Sequence, residues 1–173
     1  MISEQRAGRT DLLAGLMNAP ILTENELLRV VADERGRGRT IAFANGIFDL
    51  LHVGHVRYLQ GAAGEADLLV VGVNSDDSTR ALKGEGRPVT NERERAELVA
   101  AIRGVAYVTV FRDASPARLI AVLRPEVHCK GTDYTADSVP EAEVVRAYGG
   151  RVAIVGDPKD HSTTSILEKM RGQ

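Results

Sequence analysis

Apolar residues in this chain gather in short, valine-rich runs, and between those runs the apolar spacing turns helical. Continuous runs bounded by turn residues predict buried strands at 40–44, 67–73, 106–111, 126–129 and 151–155. Apolar stripes at helical spacing predict helices from Thr23 to about Val31 and at 55–66, 91–103, 116–123, 139–148 and 163–171. Thr23 with Glu26, and Asn91 with Glu94, have the spacing of a capping box, so two of these helices start there. Gly36-Arg37-Gly38 breaks the first helix. Gly61 and Gly64 weaken the 55–66 segment, each by about 1 kcal/mol relative to alanine, which its Val56, Leu59 and Ala63 stripe must recover by packing.

Valine-rich strands alternating with helices imply a parallel sheet covered on both faces. The fold class expected is therefore α/β, a doubly wound (Rossmann-like) parallel sheet, with ligands bound beyond the C-terminal ends of the strands. Asn18-Ala19-Pro20 marks a break, so residues 1–22 read as an N-terminal extension and 23–173 as a single domain. No internal repeat or low-complexity tract interrupts it.

Composition narrows the class. At 173 residues and 43% hydrophobic content, the chain can build one proper core. No apolar run reaches membrane-spanning length, and the first residues lack the pattern of a secretory signal. With 22 basic and 24 acidic residues the net charge is −2, which argues against a broad nucleic-acid surface. A single cysteine, Cys129, excludes an internal disulfide and a cysteine zinc cluster. A cytoplasmic protein with no membrane or nucleic-acid partner is expected.

The chemistry concentrates where the first strand gives way to a helix, at Asn45-Gly46-Ile47-Phe48-Asp49-Leu50-Leu51-His52-Val53-Gly54-His55. Three-residue spacing on a helical turn puts His52 and His55 on one side. A helix N-terminus adds unpaired N–H groups and a positive dipole end, and Gly54 lets an anion approach the backbone. These parts make a polyphosphate cradle. Two histidines satisfied by backbone carbonyls, or a zinc site lacking its third ligand, are the other readings.

Four further places carry candidate groups. The glycine- and proline-rich stretch Leu82-Lys83-Gly84-Glu85-Gly86-Arg87-Pro88-Val89 reads as a surface loop, whose Lys83 and Arg87 either face solvent or reach an anionic substrate. Arg95 shares a buried stripe with Val99 and Ile102, so its guanidinium either snorkels outward or binds phosphate. Lys130-Gly131-Thr132-Asp133-Tyr134 follows a strand at the sheet's C-terminal edge. The preceding His128 and Cys129 point to opposite faces as packing residues, and no activating base marks Cys129 as a nucleophile. His161-Ser162-Thr163-Thr164-Ser165 precedes the last helix, where hydroxyls cap the helix or donate to a phosphate.

Gly46-x-Phe48-Asp49-x-x-His52-x-Gly54-His55 resembles the signature of the HxGH-type nucleotidyltransferase superfamily, over about residues 38 to 171. Leu82 to Val89 and Lys130 to Tyr134 are most similar to the D-glycero-β-D-manno-heptose 1-phosphate adenylyltransferase domain of bacterial ADP-heptose synthases. Ala44, Ile47 and Thr132 stand where threonine, cysteine and glycine are common there, which bears on substrate choice more than on reaction type. The resemblance implies transfer of AMP from ATP to heptose 1-phosphate, giving ADP-heptose and pyrophosphate. It implies His52, His55 and Lys83 as catalytic groups. It implies Asn45, Gly46, Phe48, Asp49, Gly54, Arg95, Ser162, Thr163 and Thr164 at the nucleotide. Arg87, Lys130, Gly131, Asp133 and Tyr134 fall to the sugar phosphate. Mg²⁺ is expected with ATP, and no protein metal site. A separate heptose 7-phosphate kinase is expected to supply the acceptor, and a homo-oligomer is left open. The rival readings are a glycerol 3-phosphate cytidylyltransferase, another sugar-phosphate nucleotidyltransferase, or a non-catalytic nucleotide-binding module.

Overall fold

The computed structural model describes residues 18–157. Five parallel strands form one sheet in the order β3-β2-β1-β4-β5: β1 (Ile41–Gly46), β2 (Leu68–Asn74), β3 (Val105–Phe111), β4 (Val127–Lys130) and β5 (Arg151–Ile154). The order reverses between β1 and β4, which opens a crevice at their C-terminal ends. The expected doubly wound α/β class is what is found. Among the described residues no helix is long and apolar enough to cross a membrane.

Period-two alternation along the strands builds the two cores. Ile41 and Phe43 of β1 face Leu27 and Val31 of α1 (Glu24–Gly36), with Leu119, Ile120 and Leu123 of α5 (Ala117–Leu123) and Val145 of α6 (Ala142–Ala147). Ala42 and Ala44 face the other way, toward Leu59 and Ala62 of α2 (Val53–Ala63) and Ala96, Val99 and Ala100 of α4 (Glu92–Ala100). Cys129 joins this second core, whereas His128 stacks on Phe43 in the first, so the two do point to opposite faces.

The expected elements appear with shifted ends. Thr23 and Glu26 form the capping box that opens α1. That helix runs past Val31 to Gly36 because its polar last turns are held: Glu34 is buried, and Arg35 reaches Glu126 at 3.0 Å and the Leu123 carbonyl at 2.8 Å. β1 extends two residues further than expected, through Asn45 and Gly46, and so delivers both to the crevice. Residues 19–22, read as part of an extension, run beside β3: the Val108 amide donates to Pro20 at 3.1 Å and the Leu22 amide to Val108 at 2.8 Å. Helix 55–66 starts at Val53 and ends at Ala63, with Gly64 as its C-cap. Gly61 also lets the chain after β5 lie against α2, since a Cβ there would stand 3.2 Å from Val155 Cβ and 3.3 Å from the Gly156 nitrogen.

One expectation is corrected. Leu82 and Lys83 do not begin a loop; they close a helix, α3 (Asp76–Lys83), capped by Ser75, whose hydroxyl accepts from the Ser78 amide. Ser78 and Thr79 are its buried residues. A helix that buries small hydroxyl residues leaves no apolar periodicity to read. The expected helix at 163–171 lies outside the described residues.

Candidate active site

Asn45 and Gly46 end β1, and the chain then turns sharply at Phe48, whose φ of 52° is the left-handed region that side chains rarely occupy. The Phe48 ring lies over Gly46, where a Cβ would meet it at 3.0 Å. Asp49 follows, buried and fully engaged. Its carboxylate accepts from Arg87 Nε at 2.6 Å, the Val89 amide at 2.7 Å and the Thr90 amide at 3.0 Å. Asp49 was expected at the nucleotide; its bonds pin the segment 87–90 to the histidine turn.

His52 caps α2 and His55 sits in its first turn, with ring centroids 3.9 Å apart. The His52 amide donates to His55 Nδ1 at 3.4 Å, a long bond that leaves the proton of a neutral His55 on Nε2. The edge of Phe48 contacts His55 at 5.4 Å between centroids. Burial, aided by the neighbouring His52, pushes the His55 imidazole down to about 4. His55 is therefore neutral at physiological pH, a donor rather than a cation.

The opposite wall is built from β4 and the segment before α6. Lys130 Nζ lies 3.1 Å from Asn45 Oδ1 and 3.3 Å from Glu141 Oε2, and 5.5 Å from the centre of the Tyr134 ring. His128 Nε2 stands 3.6 Å from the same Glu141 oxygen, and Ser115 Oγ donates to Glu141 Oε1 at 3.3 Å. Burial lowers the Lys130 ammonium while Glu141 works against that shift. Burial would raise the Glu141 carboxyl, but His128 and Lys130 outweigh it and hold it at about 2. Glu141 is thus ionised. Tyr58 of α2 donates to the Cys129 carbonyl at 2.8 Å and braces the floor, its phenol pushed up by burial. Thr132 Oγ1 donates to the Asp157 carbonyl at 2.7 Å, and Arg57 meets the Asp157 carboxylate at the same distance.

These walls enclose a cavity of about 740 Å³ at the C-terminal edge of the sheet, in the range of small-ligand sites. It is lined by Asn45, Gly46, Phe48, Asp49, His52, Gly54, His55, Lys83, Arg87, Lys130, Gly131, Asp133 and Tyr134, which the sequence had singled out at three separate places. Arg95 is the exception. It is wholly buried and absent from the lining, with Nε donating to the Thr90 carbonyl at 2.9 Å, Nη1 to the Ile47 carbonyl and Nη2 to Asp76 at 2.7 Å. The expectation of a phosphate ligand there is corrected: Arg95 braces the turn from beneath. Ser162, Thr163 and Thr164 lie outside the described residues.

The sequence reading missed Tyr58, Asn74, Ser115 and Glu141, all in the lining. Asn74 had a signal, a polar residue closing an apolar strand. Glu141 had none, since an acid at the start of a predicted helix is ordinary. Among the described residues no group of three or more His, Cys, Asp or Glu is placed to hold a metal ion.

Residues 43–169 match the cytidylyltransferase-like family model. The chain is 49% identical over 153 residues to the bifunctional protein HldE of Geobacter sulfurreducens, covering 88% of this chain and 31% of that protein. It is 50% identical over 154 residues to the HldE of Geotalea uraniireducens, covering 89% and again 31%. The chain thus spans about a third of the length of these curated relatives. In structure it is similar to a lipopolysaccharide core biosynthesis protein from Thermoplasma volcanium, with a TM-score of 0.59 and 25% identity, covering 70% of this chain and all of that one. With the paired histidines at the mouth of a doubly wound sheet, the match over most of its length makes this chain a member of the cytidylyltransferase-like family, a nucleotidyltransferase.

Proposed function

We propose that the chain transfers AMP from ATP to D-glycero-β-D-manno-heptose 1-phosphate, releasing pyrophosphate and ADP-heptose. The observation that carries this reading is the gathering of the histidine turn, Lys83, Arg87 and the Lys130 to Tyr134 segment around one cavity. These are the groups whose sequence resembles the heptose 1-phosphate adenylyltransferases. The similarity to a lipopolysaccharide core biosynthesis protein supports it. A kinase acting on heptose 7-phosphate, on the same or a separate chain, would supply the acceptor.

In this reaction an oxygen of the sugar phosphate attacks the α-phosphorus of ATP, and the bond to the β-phosphate breaks. A phosphate monoester has its second pKa near about 6, so at neutral pH it is mostly a dianion and needs no general base. The protein's task is to bring two anions into line and to stabilise the charge that develops. His55 offers its Nε2–H and His52 stands beside it, at the positive end of α2. Lys83, at the end of α3, and Arg87, held by Asp49, place cations at the mouth. ATP enters as its Mg²⁺ complex, so the ion belongs to the substrate.

A second reading has one observation in its favour: the matched family is described by cytidylyl transfer, which keeps a glycerol 3-phosphate cytidylyltransferase in view. One experiment separates them. ATP, CTP, GTP and UTP are each paired with both anomers of heptose 1-phosphate and with glycerol 3-phosphate, and pyrophosphate release is followed. ATP with the β-anomer should be turned over best. Preference for CTP with glycerol 3-phosphate would replace this reading, and binding of nucleotide without release in any pair would favour a non-catalytic module.

A further inference from the structure

Lys130 was expected at the sugar phosphate, and its charge is already answered within the protein. Glu141 stands 3.3 Å away, is only 4% exposed, and lines the same cavity. A lysine–glutamate pair has no net charge to offer a phosphate. It has an ammonium donor and a carboxylate acceptor side by side. Asn45, within 3.1 Å of Lys130 Nζ, adds an amide, and Ser115 adds a hydroxyl on Glu141 Oε1. Other cations of the lining include Lys83, at the end of α3, and Arg87, which Asp49 holds against the histidine turn at 2.6 Å.

We propose that Asn45, Ser115, Lys130 and Glu141 form a subsite for the hydroxyl groups of a sugar, with Glu141 as the acceptor that selects it, while phosphates bind at the histidine turn. This deepens the function proposed above and rests on it for the presence of a sugar phosphate. A hydroxyl both donates and accepts, and so satisfies the carboxylate and the ammonium together. A phosphate would bring its charge against the Glu141 carboxylate, which His128 and Lys130 keep ionised at about 2 after outweighing its burial. Sites that hydrogen-bond a substrate hydroxyl reject analogues lacking it, because their buried polar groups are left unpaired. The sugar is either the acceptor's ring or the ribose of the nucleotide, which share this chemistry.

The test compares the wild-type protein with Glu141→Gln and Ser115→Ala, using ATP and whichever sugar or polyol phosphate turns over in the pyrophosphate-release panel. In Glu141→Gln the KM of one hydroxyl-bearing substrate should rise about tenfold or more, with a smaller change in kcat. A rise for the acceptor assigns the subsite to the acceptor. A rise for ATP, with loss of discrimination against 2′-deoxy-ATP, assigns it to the ribose. Ser115→Ala should move the same KM by less. Inhibition by inorganic tripolyphosphate should stay unchanged in both variants. Weakened tripolyphosphate inhibition, or a fall in kcat with both KM values unmoved, overturns the proposal. Should Glu141→Gln not fold, Ser115→Ala and the wild-type comparison of each substrate with its deoxy analogue decide; equal affinity for every deoxy analogue overturns it. Failure of heptose 1-phosphate in favour of another polyol phosphate removes the function proposed above and leaves this subsite standing.

Discussion

Asp49 Oδ2 and Arg87 Nε meet at 2.6 Å across 38 positions of sequence, and this contact locks the segment after α3 onto the histidine turn. The Asp49 side chain is almost fully buried and Arg87 keeps a fifth of its surface exposed. One carboxylate thus orients a cation of the cavity mouth and, through the Val89 and Thr90 amides, the chain beyond it.

Removing that carboxylate should therefore cost both stability and binding. Asp49→Asn keeps the shape but loses the charge-assisted bond, and is expected to destabilise the fold by about 3 kcal/mol. Denaturant unfolding measures the loss. At temperatures where the variant stays folded, KM for nucleotide should rise, because Arg87 is no longer held. Wild-type stability and wild-type KM together would show that the contact does neither job.

The parallel sheet and the histidine turn were legible because they rest on strong local signals. Valine runs mark buried strands, and a glycine between two histidines at a strand–helix junction has few structural uses. Arg95 was misread because the sequence places it on a buried stripe but does not say what waits there. The carbonyls of Ile47 and Thr90 and the carboxylate of Asp76 are brought to it only by the fold. Helix α3 was missed because its buried residues are Ser78 and Thr79. Glu141 was missed because its partners, Ser115 and the β4 residues His128 and Lys130, come from two other stretches of the chain.

Arg95 makes its own prediction. With no exposed surface and three partners inside the protein, Arg95→Met should leave the Asp76 carboxylate and two carbonyls short of a donor. A loss of about 3–5 kcal/mol is expected, read by thermal unfolding. Arg95→Lys should recover only part of it, since an ammonium cannot span the three directions of a guanidinium. The folded fraction of Arg95→Lys should bind ATP with near-normal affinity. A large loss of ATP affinity at full stability would return Arg95 to the phosphate.

Cys129 lies buried in the core against α2, and burial pushes its thiol up to about 12. Modification by a thiol reagent at neutral pH should therefore wait for unfolding. Its rate in the native protein should be far below that in denaturant, and should rise with denaturant along the unfolding curve. Rapid labelling of the native protein would place this strand much closer to solvent than it is here.

His55 ties the chemistry to pH. Its imidazole lies at about 4 against an ordinary 6.5, held down by burial and then by His52. Between those values the unfolded chain binds a proton that the folded chain does not. The stability linked to His55 is therefore complete above about pH 6.5 and is lost as pH falls toward 4, by about 3 kcal/mol in all. His55→Gln, which does not titrate, should show a shallower loss of stability over that window. In the free wild-type protein the His55 resonance should titrate near 4, and bound ATP should move it upward because the triphosphate favours the imidazolium. Turnover in His55→Ala should fall by about 10²–10³ with the fold retained, the typical loss when one donor to a developing charge is removed. If His55→Ala folds and turns over at the wild-type rate, or if ATP leaves the His55 titration where it was, the histidine pair does not touch the phosphates.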